Sequence, residues 1–82
     1  MSNYKQGKLG YNASNDRYGL LISDLWEIEG FHCGSTFEYY DSSADEWIPT
    51  RIEMSYPDRK YYLVDTNLKG EDLEGLRIRV YE

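Results

Sequence analysis

Two short stretches of this chain alternate apolar and polar side chains with a period of two, and this pattern constrains the fold more than any other feature. In Trp47-Ile48-Pro49-Thr50-Arg51-Ile52-Glu53-Met54, the side chains of Ile48, Thr50, Ile52 and Met54 fall on one side, and Trp47, Arg51 and Glu53 on the other. In 76–82, Leu76, Ile78 and Val80 point inward while Arg77, Arg79 and Tyr81 point outward, with Glu82 closing the strand. A helix would scatter each set around its circumference; only a strand separates them into two faces. The inventory agrees, since nine Tyr, two Trp and two Phe stand against only two Ala. Rings suit a pleated surface, and the best helix former is scarce.

The remaining segments read the same way. Tyr61-Tyr62-Leu63-Val64 follows Pro57-Asp58-Arg59, so it pairs back on 47–54 through a tight turn. Phe37-Glu38-Tyr39-Tyr40, a polar loop and then Trp47 extend this hairpin into a meander. Lys8-Leu9-Gly10-Tyr11 and Arg17-Tyr18-Gly19-Leu20-Leu21-Ile22 flank Asn12-Ala13-Ser14-Asn15-Asp16, which predicts a second hairpin. Asp24-Leu25-Trp26-Glu27-Ile28-Glu29 is ambiguous between a capped helical turn and a short strand or turn, and Gly30 cuts any helix short. Residues 67–75 read as a loop with at most one 3₁₀ turn. Pro49 brings no amide donor, so its strand is expected to be an edge there, or Pro49 to occupy a bulge or a non-bonded position.

These segments predict an all-β domain: a small antiparallel SH3-like barrel of five or six strands. The 82 residues suffice for one such unit, expected over 5–82. Its predicted core is Leu9, Tyr18, Leu20, Ile22, Ile28, Phe37, Ile48, Ile52, Leu63, Leu76, Ile78 and Val80. With nine Lys and Arg against fifteen Asp and Glu, the net charge is −6, which argues against binding polyanions through the field of the whole protein. No 20-residue apolar run is present to span a bilayer. The N-terminus lacks a basic and then apolar leader, and a lone Cys33 makes no internal disulfide, so the cytoplasm is the expected compartment. Asn12-Ala13-Ser14 matches a glycosylation pattern that has no meaning there.

The ordered set Gly7-Lys8-Leu9, Arg17-Tyr18-Gly19, Phe31-His32-Cys33-Gly34, Phe37-Glu38, Trp47-Ile48-Pro49-Thr50-Arg51-Ile52-Glu53, Tyr62-Leu63-Val64 and Leu73-Glu74-Gly75-Leu76 resembles a family of short bacterial proteins. That family, common in Gram-positive genomes and mobile elements, is grouped as a domain of unknown function. The likeness covers nearly the whole chain from Gly7, and the run from Trp47 to Glu53 is its most specific part. The resemblance implies a small β-barrel and carries no catalytic motif.

No residue set points to catalysis. His32-Cys33 could pair as base and nucleophile, but neighbours on an extended chain point to opposite faces, and no second His or Cys exists to complete a metal site. Cys33 is expected as a small buried filler and His32 on the surface or capping a turn. The acidic clusters Asp41, Asp45, Glu46 and Glu71, Asp72, Glu74 lack the order of a calcium loop and read as solvated turns. No glycine-rich phosphate loop or Gly-x-Ser-x-Gly elbow is present, so neither a cofactor nor an enzymatic activity is expected.

The outward residues Trp47, Arg51, Arg77, Arg79 and Tyr81 are the candidate binding set, because Arg, Trp and Tyr are enriched at interaction hot spots. The competing expectation is that Arg77 and Arg79 pair with Glu38 or Glu53 and the rings merely cover the sheet. The first reading gives a non-enzymatic protein- or peptide-binding module, monomeric or weakly dimeric, that does not engage membranes. Nucleic-acid binding is a second reading, since small barrels stack bases on rings, though the acidic balance opposes it. Mimicry of nucleic acid by a mobile-element protein is a third, for which nine basic residues leave a thin charge.

Overall fold

A computed structural model describes residues 3–81 and contains seven strands: β1 Tyr4–Asn12, β2 Arg17–Ile22, β3 Leu25–Ile28, β4 Thr36–Asp41, β5 Glu46–Ser55, β6 Lys60–Leu63 and β7 Arg77–Tyr81. They form one antiparallel sheet in the order β3-β2-β1-β7-β4-β5-β6, curled into a half-barrel. The all-β, barrel-like expectation holds with one strand more than predicted, and β3 and β6 are left as edges. The expected continuation to Glu82 lies outside the described residues. No helix among these residues is long and apolar enough to cross a membrane.

The additional strand comes from the ambiguous stretch after Ile22. Ser23 and Asp24 both adopt left-handed backbone, with φ of 52° and 64°, the geometry of a two-residue turn that matches strand twist. Asp24 thus turns a hairpin, with Ile22 opposite Leu25, instead of capping a helix. Further along, β3 carries a register shift: Leu20 faces Ile28 while Leu21 faces Trp26. This irregularity interrupts the exposed edge, which discourages pairing with other chains. Pro49 sits opposite Glu38 of β4, whereas β6 pairs with β5 only from Ile52 onward. The strand has a one-sided partner at the residue that cannot donate, as expected.

The concave side holds the core: Leu9, Tyr18, Leu20, Phe31, Phe37, Ile52, Tyr61, Leu63, Leu73 and Ile78 are buried, with Ile22, Ile28, Leu76 and Val80 half-buried against them. Two predicted placements fail. Ile48 is only half-buried and outside this cluster, because it faces Tyr39 near the end of the β4–β5 ladder and beyond the reach of β6. Cys33 is exposed. It lies in a turn closed by the Ser35 amide donating to the His32 carbonyl at 3.0 Å, with Gly34 at φ 92°, and the filler role falls to Phe31, whose ring lies 5.0 Å from that of Phe37. Leu73 reaches the core from the 3₁₀ turn Gly70–Leu73.

β7, last in the chain, lies between β1 and β4. Its register places Arg79 opposite Gln6 on one side and Glu38 on the other. Two glycines let neighbouring backbones approach where the sheet curls. A Cβ on Gly7 would stand 2.1 Å from the Leu21 carbonyl oxygen, and one on Gly19 2.2 Å from that of Ile28.

Candidate functional site

Residues paired across antiparallel strands share a face. The convex face therefore carries Tyr4, Gln6 and Lys8 of β1, Arg77, Arg79 and Tyr81 of β7, Glu38 and Tyr40 of β4, and Trp47, Arg51 and Glu53 of β5. On these four strands, four cations (Lys8, Arg51, Arg77, Arg79) and two carboxylates (Glu38, Glu53) sum to +2, in a protein of net charge −6.

Three of the five sequence-predicted residues meet around Arg79. Its guanidinium carbon lies 4.5 Å from the Trp47 ring centroid, 4.7 Å from Tyr4 and 6.0 Å from Tyr81. Arg79 Nε donates to Glu38 Oε1 at 2.6 Å, and the Tyr81 hydroxyl donates to Glu38 Oε2 at 3.3 Å. Burial opposes the charge on Arg79, but the hydrogen bond and charge of Glu38 outweigh it and hold the guanidinium above its ordinary pKa. Both partners are largely covered, with side-chain exposures of 19% and 18%, so Arg79 is a keystone of the face and not a free cation. The competing expectation is realised for this residue.

Arg77 is exposed and lies over the Tyr40 ring at 5.1 Å, while Tyr40 packs edge-on to Trp47 at 5.4 Å. Tyr81 is 56% exposed and packs edge-on to Tyr4 at 5.7 Å. Arg51 is separate from this group: its Nε pairs with Glu53 of its own strand at 2.9 Å. Tyr4 and Tyr40 complete the arrangement and were missed from sequence. Their membership depends on β7 lying between β1 and β4, which no local pattern announces.

A second feature, also missed, opens at the mouth of the half-barrel on the concave side. A cleft of about 510 Å³ is floored by Tyr11, Tyr18 and Tyr61 and bordered by the β5–β6 turn and the 3₁₀ turn. The rings pack edge-on in series, Tyr11 to Tyr18 at 5.6 Å and Tyr18 to Tyr61 at 5.9 Å. Each hydroxyl donates to the protein: Tyr11 to the Asp16 carboxylate, Tyr61 to the Asp16 carbonyl at 2.9 Å, and Tyr18 to the Gly70 carbonyl at 3.0 Å. All three phenols are pushed above the ordinary tyrosine pKa, Tyr11 chiefly by its bond to Asp16 and the other two chiefly by burial. They stay protonated and fixed in place.

Asn12 Nδ2 is tied to the Glu29 carbonyl at 3.0 Å and the residue is 8% exposed, so its side chain is a turn device. Among the described residues no group of three or more His, Cys, Asp or Glu is gathered to hold a metal ion.

Comparison with known proteins adds fold and kinship. No curated protein matches the chain. A crystal structure of a protein from Ruminococcus gnavus, from the Northeast Structural Genomics Consortium, is similar with a TM-score of 0.74 and 35% identity, covering 93% of this chain and 100% of that one. The family model described as a domain of unknown function, DUF5348, matches residues 7–80. With nearly every strand inside that match, the chain belongs to the DUF5348 family.

Proposed function

We propose that this protein is a non-enzymatic binding module whose convex face engages an acidic protein or peptide segment. The observation that carries this reading is the local reversal of charge: +2 on a face of rings and arginines, in a chain of −6. A positive patch in an acidic protein steers and orients a negatively charged partner. The rings around Arg79 are held by one another and by Glu38, so little side-chain freedom is lost on docking. Arg77 and Lys8 supply the accessible charge, Arg51 adds an exposed guanidinium already paired with Glu53, and Tyr81 and Tyr4 give the apolar contact.

The nucleic-acid reading is weaker on this face. Trp47 already has Arg79 over its ring and Tyr40 against it, which removes the open platform that base stacking requires.

The test is to replace Arg51 and Arg77 together with Glu, leaving the Arg79 cage intact, and to probe an array of acidic peptides alongside the native protein. Native binding that falls at least about tenfold in the double variant and weakens with salt is the expected result. Equal binding by both proteins, or none by either, refutes the proposal. Retention of single-stranded DNA on a filter at about 50 mM salt, lost as salt rises, would transfer the face to the nucleic-acid reading.

A further inference from the structure

The two indoles of this protein differ in what covers them. Trp47 is capped by Arg79 and Tyr40. Trp26 of β3 is 38% exposed and has neither a ring nor a cation against it among the described residues. It lies on the convex face, outside the group around Arg79. Cross-strand register sets Arg77 beside Lys8, Lys8 beside Leu21 and Leu21 beside Trp26, a single row over β7, β1, β2 and β3. Gly10 makes room at the end of this row. A Cβ there would stand 2.4 Å from Leu21 Cδ1 and 3.4 Å from Trp26 Cη2, so both side chains rest over bare backbone and form an apolar shelf.

The charges along the row are bracketed. Arg77 and Lys8 are exposed and have no ion-pair partner among the described residues. The other two cations of the face are already paired, Arg79 with Glu38 and Arg51 with Glu53. Carboxylates stand on either side. The Asp45 carboxylate accepts the hydroxyl of Tyr40, over whose ring Arg77 lies, and Asp24, in the β2–β3 turn, borders the same hollow as Lys8 and Leu21. A partner's negative charge is therefore favoured at the centre of the row and repelled towards both ends.

Resting on the reading that the convex face takes an acidic segment, we propose that Trp26 sets which segment it takes. The partner is an extended stretch with carboxylates at positions i and i+2 and an apolar side chain at i+4, and not a continuous acidic tract. The carboxylates meet Arg77 and Lys8, and the apolar side chain seats on the shelf of Leu21 and Trp26. Three strand spacings, about 14 Å, separate Arg77 from Trp26, and four residues of extended chain cover about 13 Å with alternate side chains on one side. An uncapped indole beside fixed charges is the kind of anchor on which binding energy concentrates.

The test is NMR titration of the full chain with three capped peptides: Ser-Asp-Ser-Asp-Ser-Leu-Ser, its counterpart with Ser in place of Leu, and a heptamer of Asp. The Leu peptide should bind at least about fivefold tighter than its Ser counterpart, from burial of the leucine, and tighter than the more highly charged heptamer. The Trp26 indole N–H signal should move with the Leu peptide alone, a readout that needs no variant. Trp26→Ala should bring the Leu peptide down to the affinity of its Ser counterpart. Equal binding of those two peptides, tightest binding of the heptamer, or a Leu preference kept in Trp26→Ala overturns the proposal and leaves the acidic-partner reading standing. No binding of any of the three peptides overturns both.

Discussion

Leu73→Ala tests how the half-barrel is closed beneath the cleft. Leu73 belongs to a four-residue 3₁₀ turn in a segment that reads from sequence as a loop, yet it is 0% exposed. Truncating a fully buried leucine costs the transfer free energy of the lost methyls and the cavity left behind, about 2.7–5 kcal/mol. This site should fall near the lower end, about 3 kcal/mol, because a short turn on one side of the cavity can settle inward where a strand could not. A chain of 82 residues has a total stability of about 4–12 kcal/mol, so the loss is a large fraction of the whole. At about 4–8 °C per kcal/mol for a domain of this size, the midpoint should drop by about 12–24 °C. The assay is urea unfolding followed by tryptophan fluorescence, with thermal unfolding by circular dichroism in parallel. Leu25→Ala is the control, since Leu25 is 72% exposed and should change stability by less than about 0.5 kcal/mol. A Leu73→Ala loss under about 1 kcal/mol, or one equal to the control, would mean that the 3₁₀ turn is not docked and would refute the core assignment.

Two further perturbations address the sheet and the β5–β6 turn. Gly19→Ala puts a Cβ 2.2 Å from the Ile28 carbonyl oxygen, a backbone clash that should cost about 2–3 kcal/mol and loosen β3 first; hydrogen exchange in β3 no faster than in the parent would contradict this. Asp58 is held down to about 2 by hydrogen bonds from Lys69 and then Ser55. The folded value lies below the ordinary carboxylate value, so this stabilisation is complete above about pH 4 and is lost as pH falls through about 2. Asp58→Asn should therefore narrow its gap to the parent in urea midpoint across that window, and parallel pH profiles would mean that the Asp58 carboxylate is not held down in the fold.

How far the sequence could be read differs by segment. The strands through Trp47–Met54 and Leu76–Tyr81 were legible because one face of each is apolar and the other is not, and a one-residue slip would invert them. The polar loops were legible because Asp, Asn and Ser tolerate turn backbone. Tyr61 was left out of the core although alternation puts it on the same face as Leu63 two residues on. Phe31 and Leu73 were not placed in the core because they enter it from a loop and a 3₁₀ segment, where periodicity gives no direction. Cys33 was misplaced for the same reason, since burial frequency describes a residue type and a turn then decides the side chain.

Of the candidate site, alternation supplied the outward residues Trp47, Arg51, Arg77, Arg79 and Tyr81, but not their grouping. Chemistry on a single strand depends on neighbours along the chain, and this the sequence determines: strand identity, face and turn. Which strand lies beside which is set by contacts between residues tens of positions apart, such as Arg79 with Glu38 and Tyr4 with Tyr81. Only the folded sheet decides that β7 enters between β1 and β4, because the energy favouring that place comes from complementary side chains that meet there and from no property of β7 alone.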